Sequence, residues 1–379
     1  MNRKILMTFT TSVFLLGIME LIVSGILEPI SSDLNMSYGL TGQLITVYAV
    51  SFAIFGPLLI KLTQRFPDKP LILSSMGVFI LGNIVFALSS NFIGLSIGRV
   101  ITAMAAAVII VKILDMTVLI SEPYKRGRML ALVYMGFSAA NVFGIPIGTF
   151  IGTLFNWRMV FYLIAALSLI LIVLIIRIVP SVKPDIVEEN VDRIRSKRNV
   201  VIYILITLMV LVGNFIVIGY ISPLMTTNNY TLNEVSLALF IAGLGGMTGT
   251  YFGGRFADLI GARNSIMLML ILFFISMILM PFLYPFKILF FINLYLWNVF
   301  EWSTSPAIQM GLVNNVEGSA SNVFSWNMSS LNLGIGLGAV LGGIFISYFD
   351  VAYAPWFGAI VVFVGIILSI MLKKEVQYD

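Results

Sequence analysis

Twelve stretches of this 379-residue chain are each long and apolar enough to cross a bilayer, and they constrain its fold more than any other feature. A helix needs about 20 mostly apolar residues to traverse a hydrocarbon layer about 30 Å thick. Such stretches run at roughly 5–27, 41–61, 71–89, 93–119, 128–152, 158–178, 200–222, 235–256, 265–283, 286–310, 319–346 and 354–372. In lipid the backbone must satisfy its own hydrogen bonds, which stretches of this length do as helices. The expectation is an all-α integral membrane protein with twelve transmembrane helices. The remaining residues suffice for connections and leave no room for a separate soluble domain. The first stretch is too long for a signal-peptide core and lacks an A-x-A cleavage site, so it reads as a retained helix.

Charge placement sets the orientation, because cytoplasmic loops collect Lys and Arg. With the N-terminus inside, the inner segments hold Arg3 and Lys4; Lys61, Arg65 and Lys69; Lys125, Arg126 and Arg128; Arg177, Lys183, Arg193, Arg195, Lys197 and Arg198; Arg255 and Arg263; and Lys373 and Lys374. Only Arg158 and Lys287 fall outside, while Arg99 and Lys112 lie within a span. Both termini are therefore expected in the cytoplasm, with the chain in a bacterial cytoplasmic membrane. The net charge of +5 is topological and implies no nucleic-acid partner. Only 10% of residues are charged, against about 25% in soluble domains. That poverty excludes a disordered chain, a coiled coil and a nucleic-acid-binding domain.

The chain has no Cys and no His. It offers no disulfide, thiolate or soft-metal chemistry, and no metal, cofactor or enzymatic constellation is expected. Any proton coupling must run through carboxylates. No G-x-x-x-x-G-K-[ST] loop is present to support ATP coupling.

The mixed-charge segment 180–199 reads as a cytoplasmic linker between an N-terminal bundle, 1–179, and a C-terminal bundle, 200–379. A repeat supports the duplication. Arg65-Phe-Pro-Asp68 recurs as Arg255-Phe-Ala-Asp258, and Gly144-Ile-Pro146-Ile-Gly148 recurs as Gly334-Ile-Gly336-Leu-Gly338, both at an offset of 190.

These residues carry a family resemblance. Gly253-Gly-Arg255-Phe-Ala-Asp258-Leu-Ile-Gly261-Ala-Arg263 resembles the loop motif of the major facilitator superfamily. The first-half counterpart, Gly56 to Lys69, is similar to the drug:proton antiporter branch that includes arabinose- and chloramphenicol-efflux permeases. So are Met19-Glu20 to Gly25, Gly98-Arg99, Asn141-Val-Phe-Gly144-Ile-Pro146-Ile-Gly148, Asn156-Trp157-Arg158 and the run Asn332 to Gly343. The resemblance implies two pseudo-symmetric six-helix bundles rocking about a central cavity, as a monomer. It also implies that Arg99 handles protons and that Gly144, Pro146 and Gly148 belong to a gating surface. Glycine faces equally allow plain close packing of helices in lipid. On the cytoplasmic face, Arg65, Asp68, Asp258 and Arg263 are expected to gate, with Asp258 paired to an Arg.

Ionisable residues within the hydrocarbon are the sharpest functional signals, since each costs about 2.5–3.5 kcal/mol at a helix centre on insertion scales. Glu20 and Glu301 have no neighbouring cation in sequence. Loss of water favours the neutral form of a carboxyl, which suits a proton carrier. Lys112 and Asp115, at i and i+3, can pair on one helix face. Proton coupling is assigned to Glu20, Glu301, Arg99 and Asp115. The substrate surface is assigned to Glu20, Lys112, Asp115, Tyr48, Asn141, Asn214, Tyr220, Trp297, Asn298, Glu301 and Trp302, with Asn327 beside them. Aromatic faces suit organic cations or planar rings.

The reading is proton-coupled efflux of a small amphipathic or drug-like molecule by alternating access, with small-molecule substrate, protons and the bilayer as partners. The alternative is a dedicated exporter of one metabolite, such as a sugar, an amino-acid derivative or a zwitterionic opine metallophore. A lipid flippase and a non-transporting sensor stand further off.

Overall fold

The computed structural model describes residues 2–36, 38–181, 193–317 and 320–373. Helices occupy all twelve apolar stretches. In order, spans one to four are Arg3–Gly25, Tyr38–Leu62, Asp68–Leu88 and Phe92–Leu119. Span five is built from Arg126–Ala139, Ala140–Gly144 and Ile145–Leu154, and span six is Trp157–Ile178. Spans seven to twelve are Lys197–Ile218, Leu232–Ile260, Ala262–Leu283, Lys287–Asn314, Ser321–Tyr348 and Ala354–Ile370. Polar residues set several starts: the Asn91 side chain accepts from the Gly94 N–H, Ser196 from Asn199, and Thr231 and Glu234 cap one another reciprocally.

Among the described residues, eleven helices are apolar enough to cross a membrane by composition alone, and span ten is the long helix left out. Its middle carries Asn298, Glu301, Ser303 and Thr304, all buried. Protein, and not lipid, surrounds these side chains, so hydropathy understates the helix.

Three features go beyond the hydropathy pattern. Short helices, Leu27–Asp33 and Ile221–Thr227, follow spans one and seven. Span five widens to a π-helical turn over Ala140–Gly144. Pro146 lies just beyond and lacks the N–H that would bond the carbonyl four residues earlier, a defect that the wider turn accommodates. Strand Arg193–Ile194, at the end of the charged linker, pairs antiparallel with Val316–Glu317. The linker residues Lys183, Asp185, Glu188, Glu189 and Asp192 lie outside the described residues, as does Lys374.

By its contacts the chain forms two compact units: Met1–Glu122, Leu132–Asp192 and Ser321–Ser329; and Pro123–Ala131, Arg193–Ala320 and Ser330–Asp379. In the first unit, span five lies on span one through glycines. A Cβ added at Gly144, Gly148 or Gly152 would stand 2.4, 2.5 or 2.8 Å from Ile18, Ile22 or Ile26. In the second, span eleven uses the same device on span seven, where Gly334, Gly338 and Gly342 face Leu211, Phe215 and Tyr220 at 2.7 Å each. Gly144 and Gly148, assigned above to a gating surface, pack here on span one. Pro146 is exposed. The sequence reading missed a third stripe: Gly245, Gly249 and Gly253 of span eight face the Tyr295, Val299 and Ser303 backbone of span ten at 2.5, 2.2 and 2.3 Å.

Candidate functional site

Glu20 and Arg99 meet in the first unit, and their geometry explains how a guanidinium survives burial. Arg99 is 0% exposed. Its Nε donates to the Leu44 carbonyl at 3.0 Å, and its two terminal nitrogens donate to the carbonyls of Met19 at 2.6 Å and Glu20 at 3.0 Å. The Tyr48 ring lies 4.3 Å beneath the guanidinium carbon. Spans one, two and four are thereby tied by one side chain whose hydrogen bonds go to backbone. Tyr48 is itself buried. The Glu20 side chain is half-buried, within electrostatic reach of Arg99, Tyr48 and Tyr134. Tyr134, which the sequence reading had passed over, also donates to the Met328 sulfur at 3.5 Å. Asn141 donates to the Phe137 carbonyl of its own helix.

The second unit holds a carboxyl of a different kind. Glu301 stands at the centre of span ten, 4% exposed, and its Oε2 has no hydrogen-bond partner among the described residues. One turn earlier, the Trp297 Nε1 is also buried without a partner, as is the Asn214 Oδ1 on span seven. Buried polar atoms left in this way cost about 1–3 kcal/mol each.

Other residues assigned to the substrate surface make packing contacts and hydrogen bonds. Trp297 is fully buried and stacks on Phe273 of span nine at 6.1 Å between centroids. Asn298 donates to the Leu294 carbonyl, and Trp302 packs on Gly246. Tyr220 donates to the Ala339 carbonyl and covers Gly342 and Gly343. Asn327 is buried on span eleven. Sequence could flag these side chains as amphipathic, but not which neighbour each would meet.

Parity places the C-terminal ends of spans two, four, eight and ten on the membrane face that carries the chain termini, here the terminal face. There the expected pairings are exchanged. Lys112 Nζ bonds Asp68 Oδ1 at 2.8 Å, in place of the expected Asp115, and both side chains are largely buried. Asp115 accepts from Ser321 Oγ at 2.6 Å. Among the described residues no Arg side chain bonds Asp258, although the Arg128 charge acts on it. Its two oxygens accept the backbone N–H groups of Gly127 and Arg128 at 3.1 and 3.0 Å, at the start of span five. An anion at a helix N-terminus contributes about 0.3–1 kcal/mol, up to about 2 where partly buried. Arg263 donates to the Ile370 carbonyl, and Arg65 is exposed.

On the opposite face each unit carries an ion pair. Asp33 accepts from Arg158 and from Trp157 Nε1, and the Arg158 hydrogen bond holds its carboxyl below the usual range. Glu234 bonds Lys287 at 2.7 Å, and chiefly that bond draws its pKa down to about 2. Among the described residues no group of three or more Asp and Glu is gathered to hold a metal.

Two glycine-packed helical units with acidic groups lodged inside the membrane helices define a polytopic membrane protein with transporter architecture. The profile of the Major Facilitator Superfamily matches residues 9–321 and 203–377, and this chain belongs to that family. It is 30% identical over 362 residues to the uncharacterized MFS-type transporter YbcL of Bacillus subtilis, covering 95% of this chain and 93% of that one. It is 28% identical to a probable sugar efflux transporter of Helicobacter pylori, covering 92% and 90%. Its fold matches the proton:xylose symporter XylE with a TM-score of 0.81 at 12% identity, covering 99% of this chain and 96% of that one. A bacterial homologue of ferroportin in its outward-facing state matches with a TM-score of 0.77 at 13% identity, covering 97% and 98%. The architecture is that of the twelve-helix transporters of this superfamily, and the protein is a multi-pass membrane protein of a bacterial transporter family.

Proposed function

We propose that this protein is a proton-coupled exporter that drives a small organic molecule out of the bacterial cytoplasm by alternating access. The observation that carries the reading is Glu301, a buried carboxyl midway along a membrane helix with one oxygen unpartnered. No counter-ion is needed if the group carries a proton for part of the cycle. Glu20 serves as the second exchanging carboxyl and the contact for cargo, with Arg99 positioning the backbone on either side of it. Protonation from the outer face weakens the hold on cargo, and proton loss to the cytoplasm restores it. The protein works as a monomer with both termini in the cytoplasm, as the distribution of Lys and Arg supports.

Two cargo classes remain in play. An amphipathic or drug-like molecule suits a lone carboxylate. A neutral hydroxylated metabolite is favoured by the relatives named as sugar efflux transporters. The test is transport in proteoliposomes with an imposed pH gradient, using a panel of organic cations and a panel of sugars. Glu301→Gln and Glu20→Gln are each expected to abolish gradient-driven flux while the protein remains monodisperse. Full activity in either variant removes that residue from the proton path.

A further inference from the structure

Three buried polar atoms of the second unit have no hydrogen-bond partner among the described residues: Asn214 Oδ1 on span seven, and Trp297 Nε1 and Glu301 Oε2 on span ten. All three residues are more than nine-tenths buried. Their chemistry is complementary. An indole N–H only donates, an amide oxygen only accepts, and a carboxyl oxygen does either according to whether it carries the proton.

The helix register brings them to one depth. Gly311 of span ten packs on the ring of Tyr203 of span seven, and the two helices run in opposite senses. Asn214 lies eleven residues beyond Tyr203, and Glu301 ten residues before Gly311. At about 1.5 Å per residue, both stand roughly 15–16 Å from that contact. Eleven residues make three turns, which returns Asn214 to the face that meets span ten. Its neighbours in sequence turn elsewhere: Gly213 packs on Gly358 of span twelve, and Phe215 on Gly338 of span eleven. Trp297 precedes Glu301 by one turn, a spacing that leaves Cβ atoms about 6 Å apart, within reach for an indole and a carboxyl. The nearby hydroxyl protons are already committed. Ser303 donates to the Gly249 and Val299 carbonyls, and Thr304 to the Glu301 carbonyl at 2.6 Å.

No charge among the described residues acts on Glu301. The charged residues of spans seven to ten, Glu301 apart, sit in the first or last two turns. Tyr251 of span eight shares the depth of Glu301, but lies between Gly249 and Gly253 on the side turned from span ten, with Arg255 over its ring at 4.7 Å. Tyr295 donates to Thr248, and Tyr203 lies at the Gly311 contact.

We propose that Asn214 and Trp297 are positioning residues that serve the two protonation states of Glu301: the neutral acid donates to Asn214 Oδ1, and the carboxylate accepts from Trp297 Nε1. The one covalent bond made or broken is the O–H of the carboxyl. Proton loading thus turns Glu301 from a partner on its own helix to a partner on span seven, and a proton becomes a bond between helices.

This inference rests on Glu301 holding a proton for part of the cycle. Its test reads the carboxyl itself, in the full-length protein in detergent, without gradient or cargo. The infrared C=O band of protonated Glu301 is assigned as the band missing in Glu301→Gln and is followed against pH. Asn214→Leu removes the acceptor of the neutral acid and is expected to lower the midpoint of that band by about one pH unit. That is about tenfold in the acid constant, the scale of one hydrogen bond. Trp297→Phe keeps an aromatic ring against Phe273, removes the donor to the carboxylate and is expected to raise the midpoint by about as much. Asn214→Gln keeps the amide oxygen and is expected to stay near the parent. Asn214→Ala replaces Asn214→Leu if the latter fails to fold. Absent shifts, or shifts of one sign, mark a purely structural role and overturn the proposal, as does a parent band that ignores pH. Opposite shifts support it even where flux in proteoliposomes proves independent of the pH gradient, a result that sinks the exporter reading alone.

Discussion

The two halves of the chain share a packing plan and differ in where they keep charge. Span five lies on span one, and span eleven on span seven, through glycines four residues apart. At the repeat offset of 190, Arg99 corresponds to Leu289, Lys112 to Trp302, Glu301 to Val111 and Glu20 to Val210. The first half ties its helices with bonded cations, whereas the second keeps a buried carboxyl with one oxygen unpartnered among the described residues. Packing must be kept in both copies because it holds each bundle together. Charge is where the two halves differ.

This contrast makes predictions that differ in size. The largest concerns Arg99→Leu, which strands three buried carbonyls and should lower unfolding stability in detergent by about 3–5 kcal/mol. Glu301→Gln should leave the unfolding midpoint unchanged or raise it, since it removes a buried group that needs a proton, while ending gradient-driven transport. Equal destabilisation by both changes would erase the distinction between the halves.

Glycine substitutions probe the shared part. A Cβ at Gly249 meets the Val299 carbonyl oxygen at 2.2 Å, and backbone cannot step aside. Gly249→Ala should cost about 1–3 kcal/mol by overpacking. At Gly148 the nearest atom is the tip of the Ile22 side chain, 2.5 Å away, so Gly148→Ala should cost less in the same melt. Asp258→Asn keeps the shape but loses the charge at the start of span five. A drop of about 1 kcal/mol is expected, read as an earlier unfolding midpoint.

The smallest effect lies on the face away from the termini. Glu234 is held at about 2 from an ordinary 4.5, chiefly by the Lys287 hydrogen bond. A depressed carboxylate contributes fully above its unfolded value and loses that contribution as pH falls toward the folded one. Glu234→Gln should therefore separate from the parent above pH 4.5 and converge with it as the pH approaches 2, measured as unfolding midpoint against pH. A separation that grows on acidification would contradict the assignment.

Much of this was legible before any coordinates. Hydropathy located every span to within a few residues, because lipid imposes a length and a composition that water-soluble folds do not. Glu20, Arg99, Lys112, Asp115 and Glu301 stood out because ionisable groups are costly there. Their partners were another matter. Lys112 could pair with its helical neighbour Asp115 by spacing, and the contact that formed reaches Asp68, 44 positions away. Asp258 was expected to meet an Arg side chain, and backbone N–H groups took its place. Side-chain propensity says nothing about main-chain donors freed at the end of a distant helix. The neighbours of the aromatic and amide residues were hidden for the same reason. Trp297, Asn298, Trp302 and Tyr220 look amphipathic in isolation, and their occupancy by Phe273, Leu294, Gly246 and Ala339 exists only after helices pack.

From the order of its residues alone, the chain dictated a lipid-borne, twelve-helix body and the handful of charges it could not cheaply bury, since solvent transfer is a property of each segment by itself. Which charge answers which, and which glycine faces which backbone, came from the three-dimensional arrangement, because those energies depend on distances between residues that the linear order leaves open.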